Sequence, residues 1–389
     1  MLVILVIMAQ KFKSVYSDQG DISDNRNRDR ESSPLGPRLH LARMKAGLSL
    51  RKLADATQGK ASHETIRQFE NGLKIPDEET LETLCRVLEV TRDYLLAPQE
   101  LTLGEIEFRK TARTTSADRA TVRHELLDVL ERYLEVEDLL ELDHPWIPPA
   151  LKVTCSNQDP AYAEEMALAL REHWKLGLAP IHDFTKLLEE KGLKVLQPHA
   201  NVESISGLTC EVHRAGRPSV FVIVVNRHQS LERRRFTMGH ELAHRLLDLE
   251  GLNGKAAESL CNRFAAAFLV PKETLVQEMG SRVRVPTYRE IVLVKKFFRV
   301  SAAMLITRLE QVGLMETAQK NIYFHTVAHG WRGVEPEPLQ SDSIETPRFE
   351  RLVYRALSYG FISNEKAAEL LRVPVPEVEH NLRAGWVPE

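Results

Sequence analysis

Two histidines four residues apart, His240 and His244, constrain this chain more than any other feature, because they stand inside an apolar pattern. The apolar positions around them recur with helical periodicity: Phe236, Met238, Leu242, Ala243, Leu246 and Leu247. Residues four apart lie on one side of a helix about one turn apart, so both imidazoles can point at one ion. The sequence therefore predicts a core helix over residues 233–249 that carries two candidate metal ligands.

Two glutamates extend this pattern toward a hydrolytic zinc site. Glu241 directly follows the first histidine, where its carboxylate can act as general base for a water at the metal. Glu258 opens a second predicted helix, residues 256–268, and the intervening LEGLNGK turn allows that helix to fold back on the first. Two histidines and one glutamate would hold one Zn²⁺ per chain and leave its fourth position open. The alternative for Glu258 is a solvated charge favoured by the helix dipole.

Two segments resemble the ImmA/IrrE family of metallopeptidases: LERRRFTMGHELAHRLLDLE and ESLCNRFAAAFLVP. The family shows R-F-T-x-x-H-E-x-x-H and then E-x-x-A-N-x-F-A-x-x-L-x-x-P; here Cys261 replaces the usual alanine. The resemblance covers roughly residues 155–312 and implies that His240, His244 and Glu258 bind zinc, with Glu241 as the base. The strand ending in FVIVVN resembles the family's strand before the active helix. In zincins such a strand edge aligns the substrate backbone by β-addition.

Residues 38–97 contain short amphipathic segments and no strand pattern. Serines are predicted to cap two short helices, Ser49–Thr57 and His63–Glu70, which a turn over Gln58–Ala61 joins. Asn71–Gly72 ends the second helix in a left-handed cap. The stretch resembles the Cro/C1 (Xre) helix-turn-helix family, including E-N-G at residues 70–72 and D-Y-L-L at residues 93–96. In such a module the second helix enters the major groove of DNA.

The candidate DNA contacts lie on or just before the second helix: Ser62, His63, Glu64, Thr65, Arg67 and Gln68. Arg51, Lys52 and Lys60 are candidate phosphate contacts, whereas Ile66 and Phe69 are expected to face the core. Residues 38–97 carry ten Lys/Arg against nine Asp/Glu, and DNA affinity depends on phosphate neutralisation. The alternative, a dimerisation or protein-docking module, therefore stays open.

The predicted fold is mainly α: an all-α helix-turn-helix domain, an α+β zincin-like metallopeptidase domain and a small helical C-terminal region. The predicted boundaries are a disordered leader at 1–37, the helix-turn-helix domain at 38–100, a helical linker at 101–150, the zinc metallopeptidase domain at 151–315 and the C-terminal region at 316–389. Further helices are expected at 161–174 and 181–191, and short strands at 194–196 and 219–225. The tail segment ISNEKAAELLRVPVPEVEHNL fits either a small helix-turn-helix or a helical hairpin packed on the core.

Composition narrows the class of protein. The net charge of −3 creates no global field toward nucleic acid or membrane. The four cysteines form no C-x-x-C pair, which argues against a disulfide framework and a thiolate zinc site and fits a reducing cytoplasm. The apolar run Met1–Met8 is far shorter than the roughly 20 residues of a spanning helix and lacks the features of a secretion signal. It is interpreted as an extended or misassigned start, with Met8 as alternative initiator.

These features together predict a cytoplasmic, DNA-binding regulatory zinc metallopeptidase. The family resemblance implies that it cleaves a transcriptional repressor or antitoxin during stress or mobile-element induction; its partners would be operator DNA and that protein, with homodimerisation left open. The alternative is an Xre-type repressor or antitoxin whose zinc domain is a non-catalytic sensor. Glu241 favours the enzyme, because a structural site needs no base. A digestive peptidase is disfavoured by the attached helix-turn-helix and the lack of a secretion signal.

Overall fold

A computed structural model describes residues 35–96, 101–104, 107–108, 116–142, 144–197, 207–214, 217–281, 285–331, 333–339 and 348–383. The chain divides into two compact units, residues 1–98 and 99–389. The fold is mainly α, as predicted, with an all-helical first unit and an α+β second unit. The apolar run at residues 1–8 lies outside the described residues. No helix among the described residues is both long and apolar enough to cross a membrane.

The helices described in the first unit are α1 (Leu35–Lys45), α2 (Leu50–Ala56), α3 (His63–Glu70), α4 (Glu78–Leu88) and α5 (Arg92–Leu96). The predicted caps are confirmed, since the Ser49 hydroxyl accepts from the Lys52 N–H and Ser62 from the Thr65 N–H. Gly72 has a φ of +66° and ends α3 in the left-handed region. Ile66 and Phe69 are buried as expected, so α2 and α3 form the predicted helix-turn-helix.

Helix α1 begins before the predicted domain boundary. Residues 35–37 belong to this helix and not to a disordered leader. Leu35 is buried in the core of the first unit, and Pro37 stands in the first turn, where its missing N–H costs no helical hydrogen bond. The polar, proline-punctuated sequence before Arg38 obscured this start. The remainder of the predicted leader, residues 1–34, lies outside the described residues.

The second unit is built on a mixed sheet flanked by helices. Its strands are β1 (Leu101–Leu103), β2 (Glu107–Phe108), β3 (Lys194–Leu196), β4 (Gly207–Arg214) and β5 (Arg217–Val225). Its helices are α6 (Ser116–Leu139), α7 (Ala161–His173), α8 (Phe184–Glu190), α9 (Leu231–Leu246), α10 (Gly254–Leu269), α11 (Lys272–Met279), α12 (Tyr288–Phe298), α13 (Ala302–Gln311), α14 (Thr317–His325), α15 (Arg348–Ser358), α16 (Asn364–Leu371) and α17 (Val375–Arg383).

The strand order β1-β4-β5-β3 corrects two expectations. β5 pairs with β4 on one side and, over Val222–Val224, with β3 on the other, so the FVIVVN strand offers no free edge there. β1 and β2 pair with β4, so the start of the predicted helical linker 101–150 is part of the sheet. These strands are two or three residues long, and their partner lies about a hundred residues away, so no local pattern marks them.

Helices cover both faces of the sheet. The apolar face of α6, including Leu126 and Leu130, packs on Leu208, Cys210 and Val212 of β4. On the opposite face, Ile223 and Val225 join the main core with residues of α9 and α10, including Met238, Leu242 and Phe264. α9 therefore lies directly against the sheet and is covered by α10 on another side.

The C-terminal region does not separate from this core at the predicted boundary of residue 315. Tyr323 and Ala328 are buried in the main core. Lys295, which is fully buried on α12, donates to Glu232 of α9 at 2.9 Å and to Glu335 at 2.8 Å. Because a buried charge is tolerated only when it is paired, these ion pairs hold residues 333–339 against the first turn of α9.

The last three helices form a small bundle on α6. Val136 of α6 is buried together with Leu352, Ala367, Leu370 and Val378. α16 and α17 are joined by a short turn in which Arg372 adopts a left-handed φ of +57°. Of the two readings of the tail segment, this packing matches the helical hairpin.

A buried polar cluster links this bundle to the sheet. Lys194 of β3 donates to Glu137 at 2.6 Å, and Arg348 of α15 contacts the same carboxylate and the Tyr133 hydroxyl. The Tyr133 hydroxyl in turn donates to Glu189 of α8 at 3.3 Å. Burial raises the pKa of Glu189 to about 8, although Arg348 and Lys194 act in the opposite direction.

Glu189 should make the stability of the second unit depend on pH. Its folded-state pKa of about 8 exceeds its ordinary value of 4.5, so the folded protein keeps a proton that the unfolded chain releases between these values. The free energy of unfolding should therefore fall as pH rises through that window. Glu189→Gln should remove this dependence and stabilise the protein above pH 8 by at least about 1 kcal/mol, since one pKa unit corresponds to about 1.4 kcal/mol.

Calorimetric melting at several pH values measures this effect. Glu190→Gln, an exposed neighbour on the same helix, serves as control and should keep the wild-type pH dependence. Parallel pH profiles for wild type and Glu189→Gln would contradict the prediction.

Candidate metal centre

Helix α9 carries the histidines and is fixed at its first half by a buried arginine. Arg235 is 1% exposed. Its guanidinium donates to the carbonyls of Ile181 at 2.5 Å, His182 at 3.1 Å and Arg299 at 2.9 Å. Bonds to three carbonyls satisfy most of its fork of donors. The helix that presents His240 is thereby tied to two distant loops.

A close crossing brings α10 against α9. A Cβ on Gly239 would lie 3.2 Å from the Ala265 Cβ, closer than most real contacts. Small residues at both positions thus allow the two backbones to approach. Asn253 caps the start of α10 by accepting from the Ala256 N–H. The crossing directs Glu258, one turn inside α10, at the next residue of α9 after Gly239, which is His240.

His240, His244 and Glu258 converge as the sequence predicts, and among the described residues they form a group that could hold a metal ion. The two histidine Nε2 atoms are 3.1 Å apart. Glu258 Oε2 lies 3.4 Å from His240 Nε2, and its Oε1 lies 3.5 Å from His244 Nε2. The three side chains therefore close a compact triangle of one carboxylate and two imidazoles.

The size of this triangle fits a zinc ion. Ligands at about 2.0–2.1 Å from a tetrahedral ion are separated from one another by about 3.3 Å. The separation of 3.1 Å between the two imidazoles, and those of 3.4 Å from His240 to Glu258 Oε2 and 3.5 Å from His244 to Glu258 Oε1, bracket that value. Two imidazoles and a carboxylate are also a donor set that zinc accepts in hydrolytic sites. The residues present thus suit this ion in number, chemistry and spacing.

Exposure increases across the triangle toward one side. The His240 side chain is 0% exposed, His244 15% and Glu258 40%. One edge of the centre therefore reaches solvent while the opposite edge is sealed in the core. Among the described residues, the side of His244 and Glu258 is therefore the one that is open to an approaching molecule.

The side chain of Glu241, a residue of α9, extends toward the start of β4. Its side chain is 2% exposed. A Cβ on Gly207 would lie 3.4 Å from Glu241 Oε1 and 2.3 Å from a Thr237 methyl group. Glycine is therefore required at the first residue of β4, and its absence of a side chain lets the strand approach the carboxylate that follows the first histidine.

Asn262 is a residue of the centre that sequence reasoning left without a role. His240 Nδ1–H donates to Asn262 Oδ1 at 3.0 Å, which leaves the His240 Nε2 lone pair directed at the triangle. Asn262 stands four residues after Glu258, so both side chains lie on one face of α10. That spacing inside the E-x-x-x-N motif was the available signal. Its meaning depends on the helix crossing, which a sequence does not display.

The predicted DNA contacts lie on α2, on α3 and on the turn between them, and they differ in exposure and in hydrogen bonding. Arg51, Lys52 and His63 are exposed. Ser62 and Thr65 hydrogen-bond each other at 2.9 Å in the helix cap. Arg67 is paired with Glu64 at 3.0 Å, and Gln68 is half-buried. Lys60 pairs with Glu79 at 2.5 Å. Several of these side chains therefore have partners within the module.

Glu70, in the E-N-G motif, has a structural position. It accepts from Arg43 at 2.5 and 2.9 Å and joins α3 to α1. Burial raises the pKa of Glu70, but the hydrogen bonds from Arg43 and His40 outweigh it and hold the pKa below its ordinary value. The motif thus fixes the orientation of α3 and does not itself point to a DNA contact.

Both units of the chain contain a segment that matches a known protein family. Residues 188–310 match the model described as the IrrE N-terminal-like domain, of the M78 peptidases. Residues 34–96 match a helix-turn-helix domain. The chain therefore combines a helix-turn-helix domain with an IrrE-like domain of zincin-like fold, and the ImmA/IrrE and Xre-type resemblances are confirmed. This is the organisation of a DNA-binding regulatory protein with a peptidase-like domain.

Over the whole chain, similarity to known proteins is weak. No curated protein matches the chain significantly. Among solved structures, the crystal structure of ComR from Streptococcus suis aligns with 91% of this chain and 95% of its own at 11% identity. The TM-score of that alignment is 0.16, a value that does not indicate a shared fold.

Asn262→Ala should weaken zinc binding. Loss of an outer partner of a ligating histidine typically lowers metal affinity by about 10- to 100-fold, because the imidazole loses its fixed tautomer and orientation. Asn262→Asp keeps an acceptor and should bind zinc at least as tightly as wild type. Competition with a chromophoric chelator measures both affinities.

Ser259→Ala, at an exposed position of α10, is the matched control for that measurement. Unchanged affinity in Asn262→Ala, with melting temperatures equal to wild type, would show that Asn262 does not orient His240.

Proposed function

We propose that this chain is a cytoplasmic, DNA-binding regulatory zinc metallopeptidase that hydrolyses a peptide bond in a transcriptional repressor or antitoxin. The observation that carries the proposal is the triangle of His240, His244 and Glu258, whose edges of 3.1–3.5 Å suit one zinc ion. A triangle of three protein ligands leaves a fourth tetrahedral position open, as hydrolytic sites require. Its graded exposure supplies an approach for a substrate.

Each residue of the centre has a distinct part in this proposal. Zinc held at the triangle would polarise a peptide carbonyl and lower the pKa of a water. Glu241, buried beside the start of β4, takes the proton of the attacking water and returns it to the leaving amine. His240 and His244 would hold the ion through Nε2, and Asn262 fixes the tautomer of His240.

The attached domain supports the proposed substrate class. A helix-turn-helix on the same chain would bring the peptidase-like domain to regulated DNA, where repressors and antitoxins act. We propose that α3 enters the major groove, with His63, Glu64 and Arg67 on the side opposite the buried Ile66 and Phe69. Arg51 and Lys52 of α2 would contact phosphates. A homodimer on a symmetric operator belongs to the same proposal.

Glu241→Gln should abolish hydrolysis and keep zinc. General acid–base groups contribute about 100- to 10,000-fold to rate, whereas the ligand triangle is untouched by this change. Incubating a cell lysate with the zinc-loaded protein and labelling new protein N-termini would reveal cleavage products, which Glu241→Gln should not generate. Metal content is measured in the same samples.

Glu250→Gln, at an exposed glutamate after α9, is the control and should cleave like wild type. If wild type and Glu241→Gln give the same N-termini while both bind zinc, the peptidase proposal is wrong. A zinc-dependent change in DNA binding would then favour the sensor.

Arg67→Ala should weaken binding to a duplex from the promoter of this chain's own gene by about 10-fold or more, since a base contact is worth about 1–3 kcal/mol. Fluorescence anisotropy at low salt measures the affinities. Arg86→Ala removes an exposed cation from α4, outside the helix-turn-helix pair, and is the control; equal losses in Arg67→Ala and Arg86→Ala would contradict a specific role for α3.

A further inference from the structure

β4 is the strand of the sheet that lies nearest the metal centre. Thr237, Glu241 and Arg245 form a row four residues apart on α9 that follows β4, from the close approach at Gly207 to the bond from Arg245 Nε to the Thr209 hydroxyl at 3.1 Å. Helical residues advance by about 100° each. Around α9 the metal ligands therefore come first, then this row, and then Met238 and Leu242.

Met238 and Leu242 pack in the main core with Ile223 and Val225 of β5. The order around the helix matches the order of the strands, so the metal ligands lie on the side of β4 that faces away from β5. The outer edge of β4 therefore borders the metal centre.

The chain's own strand β2 covers this edge. Glu107 pairs antiparallel with Thr209, and Phe108 with Leu208, one residue from Gly207. The Gly104 N–H donates to the Glu211 carbonyl at 2.8 Å. Backbone groups alternate between the two edges of a strand, so Thr209, two residues earlier, also directs its N–H and carbonyl outward. An extended peptide that added to β4 beside the metal centre would need these same groups.

β1 and β2 are held unequally. Leu101 of β1 is 4% exposed and lies in the core beneath α6. A Cβ on Gly104 would come within 3.0 Å of the Glu211 carbonyl, so glycine lets this part of the segment lie tightly on β4. β2 contributes only the two-residue pairing of Glu107–Phe108. Two residues of ladder form few hydrogen bonds, so β2 can leave the edge while β1 stays.

We propose that β2 covers the outer edge of β4 at Leu208–Thr209 (the β4 surface) by occupying the backbone groups with which an extended segment of the protein substrate would pair, and that the substrate must displace β2 to reach the metal centre. The inference rests on the proposed peptidase function, since the occupant is a peptide presented to the metal centre. It adds that the segment directly after the helix-turn-helix unit competes with the substrate for one row of backbone groups.

Removing the β2 pairing in the full chain tests this. Glu107→Pro deletes the N–H that faces the Thr209 carbonyl, whereas Glu107→Ala keeps it and is the matched control. Each is combined with Glu241→Gln and loaded with zinc, so that binding is measured without cleavage. The probe is a fluorescein-labelled synthetic peptide with the sequence of residues 105–112, followed by anisotropy. Glu107→Pro should bind it about tenfold or more tightly than Glu107→Ala.

A second variant guards against misfolding of the first. Gly104→Val places a side chain against the Glu211 carbonyl and should also strengthen probe binding. If both variants melt cooperatively and bind the probe no more tightly than the control, the proposal is overturned.

The outcome is separable from that of the peptidase proposal. Glu107→Pro could bind the probe more tightly while the protein that retains Glu241 cleaves no lysate protein. That result would support the proposal for the β4 surface and contradict the peptidase proposal. Glu241-dependent cleavage of lysate proteins, with probe binding unchanged by Glu107→Pro, would support the peptidase and overturn the β4 surface.

Discussion

The close crossing of α9 and α10 is the contact on which the rest of the site depends. Gly239 and Ala265 have almost no side chain, so the two helix backbones approach until a Cβ on Gly239 would lie 3.2 Å from its neighbour. Only at that separation can Glu258 reach both histidines and Asn262 reach His240. The candidate metal centre is assembled from two helices, and its geometry therefore depends on a packing contact between two small residues without functional groups.

Buried charges hold the elements around this crossing in position. Arg235 ties α9 to carbonyls from two separate loops. Lys295 and Glu232 are each 0% exposed and bring residues of the C-terminal region onto the start of α9. Such groups are costly to bury and become strongly destabilising when one partner is lost. The frame of the site is thus specified by polar contacts between segments far apart in sequence, in addition to its apolar core.

The predictable parts are those whose information is local. Periodicity and the spacing of His240 and His244 indicated α9, and serine caps marked α2 and α3 to within a residue. β4 was missed although Leu208, Cys210 and Val212 alternate with polar residues, which is the pattern of a half-buried strand, so this signal was present in the sequence. The role of Asn262 and the pairing of β2 with β4 depend on which elements meet in space, and no single-sequence pattern carries that information.

Helix α10 supplies Glu258 and Asn262 from one face, four residues apart. Glu258 contacts the Nε2 atoms of His240 and His244, and Asn262 contacts Nδ1 of His240. A rotation of α10 about its axis, or a slide along it, would displace both groups together. In the proposed zinc site, affinity for the metal would therefore depend on the position of α10, and a ligand or partner that shifted this helix would tighten or release the ion.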